Sequence, residues 1–463
     1  MRGGRSFLVL LVVALGLGAY IYFVESKRDP AGASVVAGEK VFGIETGTIE
    51  EVRIEATSGE RTTVRKTGDR WQIVAPAALD ADATAISSLA STLESLESER
   101  TVDENPESVA AYGLEPPRLT VAFKVAGEPV ERRLLIGERT PTGSDLYARV
   151  EGDPKLILIA SYIEDSLNKT TFDLRDKSVL KFARDGIDAI LLEPADAPAV
   201  TLARSGDDWR LSAPIGAGAD YSTVDGLIGR LFQARMQAIV SPADSASAAE
   251  PSPDDLRTYG LDRPAVVVHL GAGSTRASLA VGATHDSTTR YARDLSRPLV
   301  FTVESSLVDD LTKKPDDLRS KDVFAFRSFT ALGVDVAAGG TTVTFTKTPA
   351  PEGADAPASD TWKQTAPAEK DVDQMKLTDL LTTLSNLRAQ SFAARAHAGG
   401  EEVVVTARFG EATSPTEERV VFRKSGDVVH AIREGEPGAA VVSTEDFDRG
   451  LSLFKELTGA SGQ

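Results

Sequence analysis

Cysteine is absent from this sequence of 463 residues, and its absence excludes several kinds of site at once. Without a thiol the chain forms no disulfide, no thiolate metal site, no iron–sulfur cluster and no cysteine nucleophile. Basic residues are also outnumbered, because 51 Lys and Arg face 69 Asp and Glu, and the net charge of −18 repels nucleic acid phosphates. Aromatic residues make up only 6%, whereas 41% hydrophobic and 26% charged residues are typical of a globular protein.

The short motifs of common catalytic and cofactor sites are missing too. The sequence contains no G-x-S-x-G nucleophile elbow, no G-x-x-x-x-G-K-[ST] phosphate loop and no H-E-x-x-H zinc motif. The four histidines, His269, His285, His397 and His430, are scattered along the chain, and we interpret them as ordinary surface or strand residues. We therefore predict no catalytic residue, no cofactor and no metal site, and we expect that the protein is not an enzyme.

Three further groups of residues have simple structural interpretations. The glycine-spaced segment 137–143 lacks a lysine and is predicted to be a hairpin loop between two strands. Asp371, Asp373 and Asp379 lack the spacing of a calcium-binding EF-hand and indicate a capped helix start instead. Adjacent carboxylates such as Asp207 and Asp208 would point to opposite faces of a strand, so they predict a solvated turn rather than an acid/base pair.

One long apolar run lies near the start of the chain. It extends from Phe7 to Val24, is 18 residues long and carries no charge, which reaches the lower length limit of a membrane-spanning helix. Arg2 and Arg5 precede the run without an acidic residue, so the positive-inside rule places the N-terminus in the cytoplasm. We predict that residues 1–30 are a cytoplasmic tip and a signal-anchor helix in the cell inner membrane, and that the bulk of the chain is periplasmic.

Two alternatives to the anchor stay open. A cleaved signal peptide would have a shorter apolar region followed by a site between small residues, and Leu17-Gly18-Ala19 is a poor match inside the run. The run could also be a buried helix of a soluble protein. The sequence favours the anchor and does not decide whether the segment is cleaved.

The three tryptophans indicate an internal repeat. They are Trp71, Trp209 and Trp362, and each begins the pattern W-x-x-x-A-P. A Val-Phe or Val-Leu pair precedes each tryptophan, by 30, 30 and 39 residues. Division at these pairs gives units of ordinary domain size, namely repeat 1 (41–178), repeat 2 (179–322) and repeat 3 (323–463).

Further patterns connect the first two repeats. These are Tyr-Gly-Leu-x-x-Pro at Tyr112 and Tyr259, a glycine after Ile136 and Val281, Tyr-Ala-Arg at Tyr147 and Tyr291, and Asp-Leu-Arg at Asp173 and Asp317. We interpret the Tyr-Gly-Leu segment as a turn and the tryptophans as core residues. Repeat 3 lacks the Tyr-Gly-Leu-x-x-Pro segment, and we interpret it as a divergent capping repeat.

The order of elements predicts an α+β fold for each repeat. Short strands come first and an amphipathic helix follows, with Asp80 or Asp82, Asp220 and Asp371 near the three helix starts. Further strands and a last helix complete a mostly antiparallel sheet with about two helices packed on it. The predicted apolar stripes are Ile86, Leu89, Leu93 and Leu96; Val224, Leu227, Ile228 and Leu231; and Val372, Met375, Leu380, Leu384 and Leu387.

These motifs resemble the domain-of-unknown-function 4340 family. The resemblance rests on W-x-x-x-A-P, the helix that follows it, Y-G-L-x-x-P, the I-G-E-x-T-P-x-G segment at Ile136 and Y-A-R-V at Tyr147, and it covers residues 41–343 well and repeat 3 in part. It implies tandem domains behind an N-terminal membrane anchor in a Gram-negative bacterium, associated with gliding-motility-type ABC transporter operons. It carries over no catalytic residue.

The resemblance and the predicted anchor together imply a membrane-anchored extracytoplasmic scaffold or accessory protein. The expected partners are the cytoplasmic membrane, which the segment from Phe7 to Val24 would enter, and ABC transporter or other envelope proteins. The alternative is a periplasmic module that binds a peptide or glycan polymer, with the tryptophans as stacking platforms. The sequence identifies neither the partner nor the oligomeric state.

Overall fold

The structure, a computed structural model, describes residues 39–241, 250–348, 360–397 and 399–459. The chain divides into two compact units, of which one ends at Lys177 and the other begins at Ser178. The predicted anchor between Phe7 and Val24 lies outside the described residues. Within the ranges given above, no helix has both the length and the apolar character needed to cross a membrane.

Three antiparallel sheets of nine strands form the framework of the described residues. The first compact unit holds one of them and the second holds two. When the strands of each sheet are numbered in chain order, all three sheets have the same spatial order, 4-3-2-1-6-7-8-9-5. The prediction of a repeated antiparallel fold is therefore confirmed, while the limits of the repeats at 41–178, 179–322 and 323–463 stay predictions.

The first unit contains the sheet of repeat 1. Its strands are β1 (Glu39–Lys40), β2 (Ile49–Glu55), β3 (Arg61–Thr67), β4 (Arg70–Ala75), β5 (Leu79–Asp80), β6 (Glu97–Ser98), β7 (Arg100–Asp103), β8 (Leu119–Val125), β9 (Arg132–Arg139), β10 (Asp145–Val150) and β11 (Leu156–Ala160). Its helices are α1 (Ala83–Glu94), α2 (Ile163–Leu167) and α3 (Thr171–Leu174). Strands β1 and β6 pair with each other outside the main sheet.

The second unit begins with the sheet of repeat 2. Its strands are β12 (Ala189–Pro194), β13 (Val200–Ser205), β14 (Asp208–Ala213), β15 (Ala217–Gly218), β16 (Ala238–Ser241), β17 (Val266–Ala272), β18 (Thr275–Thr284), β19 (Thr289–Asp294) and β20 (Val300–Glu304). The helices of this part are α4 (Tyr221–Gln233), α5 (Pro253–Thr258), α6 (Ser306–Leu311) and α7 (Pro315–Leu318).

Repeat 3 completes the second unit. Its strands are β21 (Ala331–Ala338), β22 (Thr341–Thr348), β23 (Thr361–Ala366), β24 (Lys370–Asp371), β25 (Ala389–Ala393), β26 (Glu401–Glu411), β27 (Ser414–Ser425), β28 (Val428–Arg433) and β29 (Ala439–Val442). Its helices are α8 (Gln374–Ser385) and α9 (Thr444–Thr458). The last helix, α9, is 15 residues long, and Ser443 caps its start by accepting from the Asp446 amide.

Each sheet buries one face beneath its long helix. In repeat 1 the helix α1 buries Ile86, Leu89 and Leu93, which recur at helical spacing, and each such side chain contributes about 1.5–3 kcal/mol by leaving water. Asp82 caps this helix, because its carboxylate accepts hydrogen bonds from the Thr84 and Ala85 amides at 3.0 Å. The helix prediction is confirmed here, and Leu96 lies beyond the helix end although it is buried.

The helix of repeat 3 differs from the prediction in two details. Met375 is 76% exposed rather than part of the apolar stripe, because the buried residues Leu377, Leu380 and Leu384 follow a helical phase that Met375 does not share. Asp373, and not Asp371, caps the helix by accepting from the Met375 amide at 3.0 Å.

Candidate functional site

The tryptophan of each W-x-x-x-A-P pattern lies in the third strand of its sheet in chain order. In space this strand is next to the edge strand, which is β5, β15 or β24. Trp209 and Trp362 are 4% and 7% exposed, and Trp71 is half-buried against the core of repeat 1. The Ala–Pro peptide bond that ends the pattern is cis in all three repeats. Such burial favours the core interpretation over stacking platforms, most clearly for Trp209 and Trp362.

The Tyr-Gly-Leu segment packs on the neighbouring strand through two glycines. Gly113 has a φ of +68°, a conformation that glycine adopts without strain. A Cβ atom on Gly137 would lie 2.1 Å from the carbonyl oxygen of Tyr112, so the two backbones touch at that point. In repeat 2 the same contact recurs, since a Cβ atom on Gly282 would lie 2.3 Å from the carbonyl oxygen of Tyr259. The motif is therefore a docked turn.

A pair of tyrosine rings completes this docked turn. The ring centroids of Tyr112 and Tyr147 are 4.7 Å apart in repeat 1. Those of Tyr259 and Tyr291 are 4.8 Å apart in repeat 2. In repeat 1 the two tyrosines pack with Leu114 and Leu156 in a small cluster separate from the main core, so they act as packing residues.

Repeat 3 replaces both parts of this arrangement. The strand register identifies the equivalent positions of the three repeats. Between the seventh and eighth strands of each sheet, the equivalent cross-strand pairs are Ile136 with Ala148, Val281 with Ala292 and Phe422 with Ala431. Arg423 therefore occupies the position of Gly137 and Gly282, and His430 occupies that of Tyr147 and Tyr291. The ring of His397 lies 4.6 Å from that of His430, where the other repeats place a second tyrosine.

The remaining predicted positions are ordinary structural sites. His269 is bonded to Ser278 Oγ at 2.7 Å and to Glu193 Oε2 at 2.9 Å, and His285 Nδ1 lies 2.8 Å from the Tyr291 hydroxyl. The glycine-spaced segment 137–143 lies in the β9–β10 hairpin, as predicted. Across the part of the chain that the structure describes, no group of three or more His, Asp or Glu side chains is placed to hold a metal ion.

A polar cleft of about 570 Å³ lies between repeats 2 and 3, inside the second compact unit. It is lined by the β13–β14 hairpin, the start of α4, the segment 320–327 that links the repeats, and the turn after β28. Since it brings charged side chains from both repeats together, we take it as the candidate functional site.

The linking segment is hydrogen-bonded to both repeats. On one side the Ser320 amide donates to Gly218 O at 2.8 Å, and the Asp220 amide donates to Leu318 O at 2.8 Å. On the other side the Ala389 amide donates to Lys321 O at 2.7 Å. The Asp-Leu-Arg motif therefore ends one repeat and begins the joint with the next.

Arg319, the last residue of that motif, is buried at the joint. Its Nη2 atom donates to Glu436 Oε2 at 3.1 Å and to the carbonyl oxygen of Pro437 at 3.2 Å. Its guanidinium carbon lies 4.1 Å from the centroid of the Phe392 ring. The other carboxylate oxygen of Glu436 accepts from the Gly218 amide at 3.1 Å, so one acidic residue of repeat 3 holds two residues of repeat 2.

A buried carboxylate, that of Glu418, supports the joint from within repeat 3. Glu418 Oε2 accepts from the Ala325 amide at 2.8 Å, and Glu418 Oε1 lies 2.5 Å from Arg433 Nη2. Burial raises the pKa of Glu418, although Arg433 and the backbone amides act in the opposite direction. Arg433 also lies 3.6 Å from Glu436, which joins this pair to the Arg319 contact.

Further charges at the cleft form a chain of ion pairs. Arg388 lies 3.1 Å from Asp322 and 4.0 Å from Asp220, and Arg327 lies 2.8 Å from Asp322. Burial of Asp220 opposes its ionisation, but hydrogen bonds from Ser222 and Thr223 outweigh it and lower its pKa. Both carboxylates are engaged with arginines, which is the arrangement of a joint between repeats rather than of an acid/base pair.

Sequence reasoning missed the joint because its two halves lie far apart in the chain. The Asp-Leu-Arg motif was visible as a repeated pattern, but Glu436 is 117 residues beyond Arg319 and belongs to no shared pattern. The only sequence cue was the recurrence of Arg175 and Arg319 at equivalent positions, and both are buried, at 7% and 6% exposure.

Comparison with known proteins gives one result that covers most of the chain. A family model described as a domain of unknown function, DUF4340, matches residues 71–248 and residues 209–403. The two matches begin at Trp71 and Trp209, which are equivalent positions in repeats 1 and 2, and each match continues into the next repeat. No curated protein and no solved structure matches the chain.

Proposed function

The chain belongs to the family described as domain of unknown function DUF4340, and on that premise we propose that it is a membrane-anchored extracytoplasmic scaffold or accessory protein of an ABC-type transporter or other envelope machinery. We further propose that it is not an enzyme and acts through its surfaces. The observation that carries this proposal is the joint between repeats 2 and 3, where buried charges are used to fix two copies of one fold together.

A scaffold requires that its repeated parts keep a fixed relation. In repeat arrays each copy contacts its neighbours, and stability is approximately a sum of copies and interfaces. Here Arg319, Glu436 and the linking segment join neighbouring copies within one compact unit. The charged groups of the candidate site thus serve orientation, which is what an accessory protein that positions partners needs.

The location is the first part of the proposal to test. It rests on the apolar run from Phe7 to Val24 and on Arg2 and Arg5 before it. A reporter that is active only outside the cytoplasm, fused after Gln463, is expected to be active. The matched control replaces Arg2 and Arg5 with glutamate, which should lower that activity. An inactive reporter, in cells that contain the full-length fusion, would overturn the periplasmic location.

The accessory role needs a separate experiment. Crosslinking in cells followed by mass spectrometry is expected to enrich the permease and ATPase subunits of a transporter with the full chain. The control is residues 1–30 fused to an unrelated periplasmic domain, which keeps the anchor and removes the repeats. Capture of the same proteins by both chains would contradict the proposal, because the repeats would then contribute nothing.

A polymer-binding module is the second candidate. The observation in its favour is Tyr221, which is 53% exposed at the edge of the 570 Å³ cleft beside the buried Trp209. A peptide or glycan that enters the cleft should quench or shift the tryptophan emission, and Tyr221→Ala should weaken that response. Blue-shifted emission that no such polymer alters would favour the scaffold.

A further inference from the structure

Repeat 3 carries two histidines at the place where repeats 1 and 2 carry two tyrosines. His397 and His430 lie with ring centroids 4.6 Å apart and planes inclined by 74°. The corresponding tyrosine pairs have centroid distances of 4.7 and 4.8 Å. The packing role is therefore kept, while two phenol rings are exchanged for two imidazole rings, the side chain whose unperturbed pKa lies nearest to neutral pH.

The burial of the two rings differs. His430 is 4% exposed on β28, and its Nδ1 atom has no hydrogen-bond partner among the described residues. His397 is exposed and lies on the segment 394–397, which follows β25. A proton added to His430 would place a charge in a buried site where no neighbouring carboxylate is bonded to it.

We propose that the His397–His430 contact is a pH-sensitive latch, which holds the segment 394–397 on the sheet of repeat 3 when both rings are neutral and releases it in acid. The strands beneath the contact are paired by backbone hydrogen bonds, which a proton on the His430 ring does not break.

The groups that face His430 favour this direction of response. On β27 its cross-strand neighbour is Arg423, and on β29 it is the apolar Val441. The Arg423 guanidinium is paired with Glu402 at 3.1 Å, so that carboxylate is engaged elsewhere. The segment 394–397 contributes His397. The one carboxylate among these groups, Glu402, is thus engaged by Arg423, and His397 opposes the protonation of His430.

The sign of the response follows from this setting. Burial, reinforced by His397, lowers the pKa of His430 below the ordinary 6.5. His430 therefore binds a proton more readily when the segment 394–397 is released than when the contact is closed. The closed contact is thus fully favoured above about pH 6.5, and it weakens about tenfold for each pH unit between that value and the lower pKa of the closed form.

Hydrogen exchange on the full chain tests the latch. Amides of 394–397 are expected to exchange faster, after correction for intrinsic rates, at about pH 5 than at about pH 8, whereas the β26–β27 ladder stays protected. His430→Phe keeps a buried ring that cannot ionise, and its segment should show equal protection at both values. His269→Gln is the matched control, since His269 already has two partners and should leave the response unchanged.

Two results would overturn the latch. One is equal protection of 394–397 at both pH values in the wild-type chain. The other is an acid response that persists in His430→Phe, which would place the titrating group elsewhere. If His430→Phe fails to fold, His430→Tyr introduces the residue that repeats 1 and 2 use there, and the same two outcomes apply to it.

Discussion

The guanidinium of Arg319 donates to the carboxylate of Glu436 at 3.1 Å across the joint between repeats 2 and 3. Both side chains are largely withdrawn from water, at 7% and 14% exposure. For an ion pair in such surroundings, the free-energy cost of desolvation is about as large as the gain from the attraction of the charges. The loss of one partner removes the attraction and leaves the other charge buried and uncompensated.

Removal of the arginine is therefore expected to be costly. Arg319→Met should lower the free energy of unfolding of the second unit by about 3–5 kcal/mol, measured by urea titration of the full chain. The control is Arg257→Met, whose side chain is 65% exposed in a surface pair with Asp254 and should cost less than about 1 kcal/mol. Equal effects of the two substitutions would show that the joint does not depend on Arg319.

The tryptophans should differ from one another according to burial. Trp209→Ala and Trp362→Ala are each expected to cost about 3–5 kcal/mol, because both empty a large buried site. Trp71 is half-buried, so Trp71→Ala should cost less. Denaturant titrations of the three variants give the order. If Trp209→Ala is as stable as the wild-type chain, Trp209 belongs to a binding surface rather than to the core.

The docked turn makes a sharp prediction about glycine. Gly282→Ala would place a Cβ atom 2.3 Å from Tyr259 O, so the cost should exceed the roughly 1–3 kcal/mol of ordinary overpacking. Gly226→Ala is the control of opposite sign. Its Cβ would meet no atom within 4 Å on the exposed side of α4, and alanine in a helix is favoured by about 1 kcal/mol. Thermal unfolding should move the two variants in opposite directions.

An ion pair on the sheet of repeat 3 gives a pH dependence. Asp335 accepts from both terminal nitrogens of Arg408, at 2.7 and 3.0 Å, and these bonds outweigh burial and lower the pKa of Asp335 below the ordinary 3.8. The stability that the pair contributes is complete above about pH 3.8 and is lost as the pH falls through the lower pKa of the folded state.

Asp335→Asn should therefore flatten the loss of stability below that pH and cost about 1.5–3 kcal/mol at neutral pH, the range for hydrogen bonds to charged groups. Unfolding curves recorded at several acidic pH values measure both effects. A variant whose acid dependence equals that of the wild-type chain would assign the transition to other carboxylates.

Much of the fold could be read from local patterns. The W-x-x-x-A-P spacing indicated a repeated unit, Asp220 was correctly placed at a helix start, and Asp82 is the correct one of the two candidates Asp80 and Asp82. The edge strand after the long helix of repeat 1, Arg100–Asp103, is exposed along its whole length, so no alternation in its residues predicts it. Sheet position there is fixed by the neighbouring strand and not by the segment's own residues.

The candidate site could not be predicted from the sequence, for a related reason. Its contacts join residues that carry no mutual spacing, as Gly218 and Glu436 do over 218 residues of sequence. Periodicity describes one element at a time, whereas a joint is set by the path of the chain between two folded copies. The position of Arg319 in a repeated motif marked it as structural, and its partner could only be found in space.

The contact between the Tyr-Gly-Leu turn and its strand also constrains how a repeat of this kind can change. Arg423 stands where Gly137 and Gly282 admit the turn, and a side chain at that position would occupy the space of a backbone carbonyl. A repeat that has both the turn and a side chain at that position is excluded by a steric clash. Any stepwise route between the two forms must therefore pass, in either direction, through a repeat that has the glycine and lacks the turn.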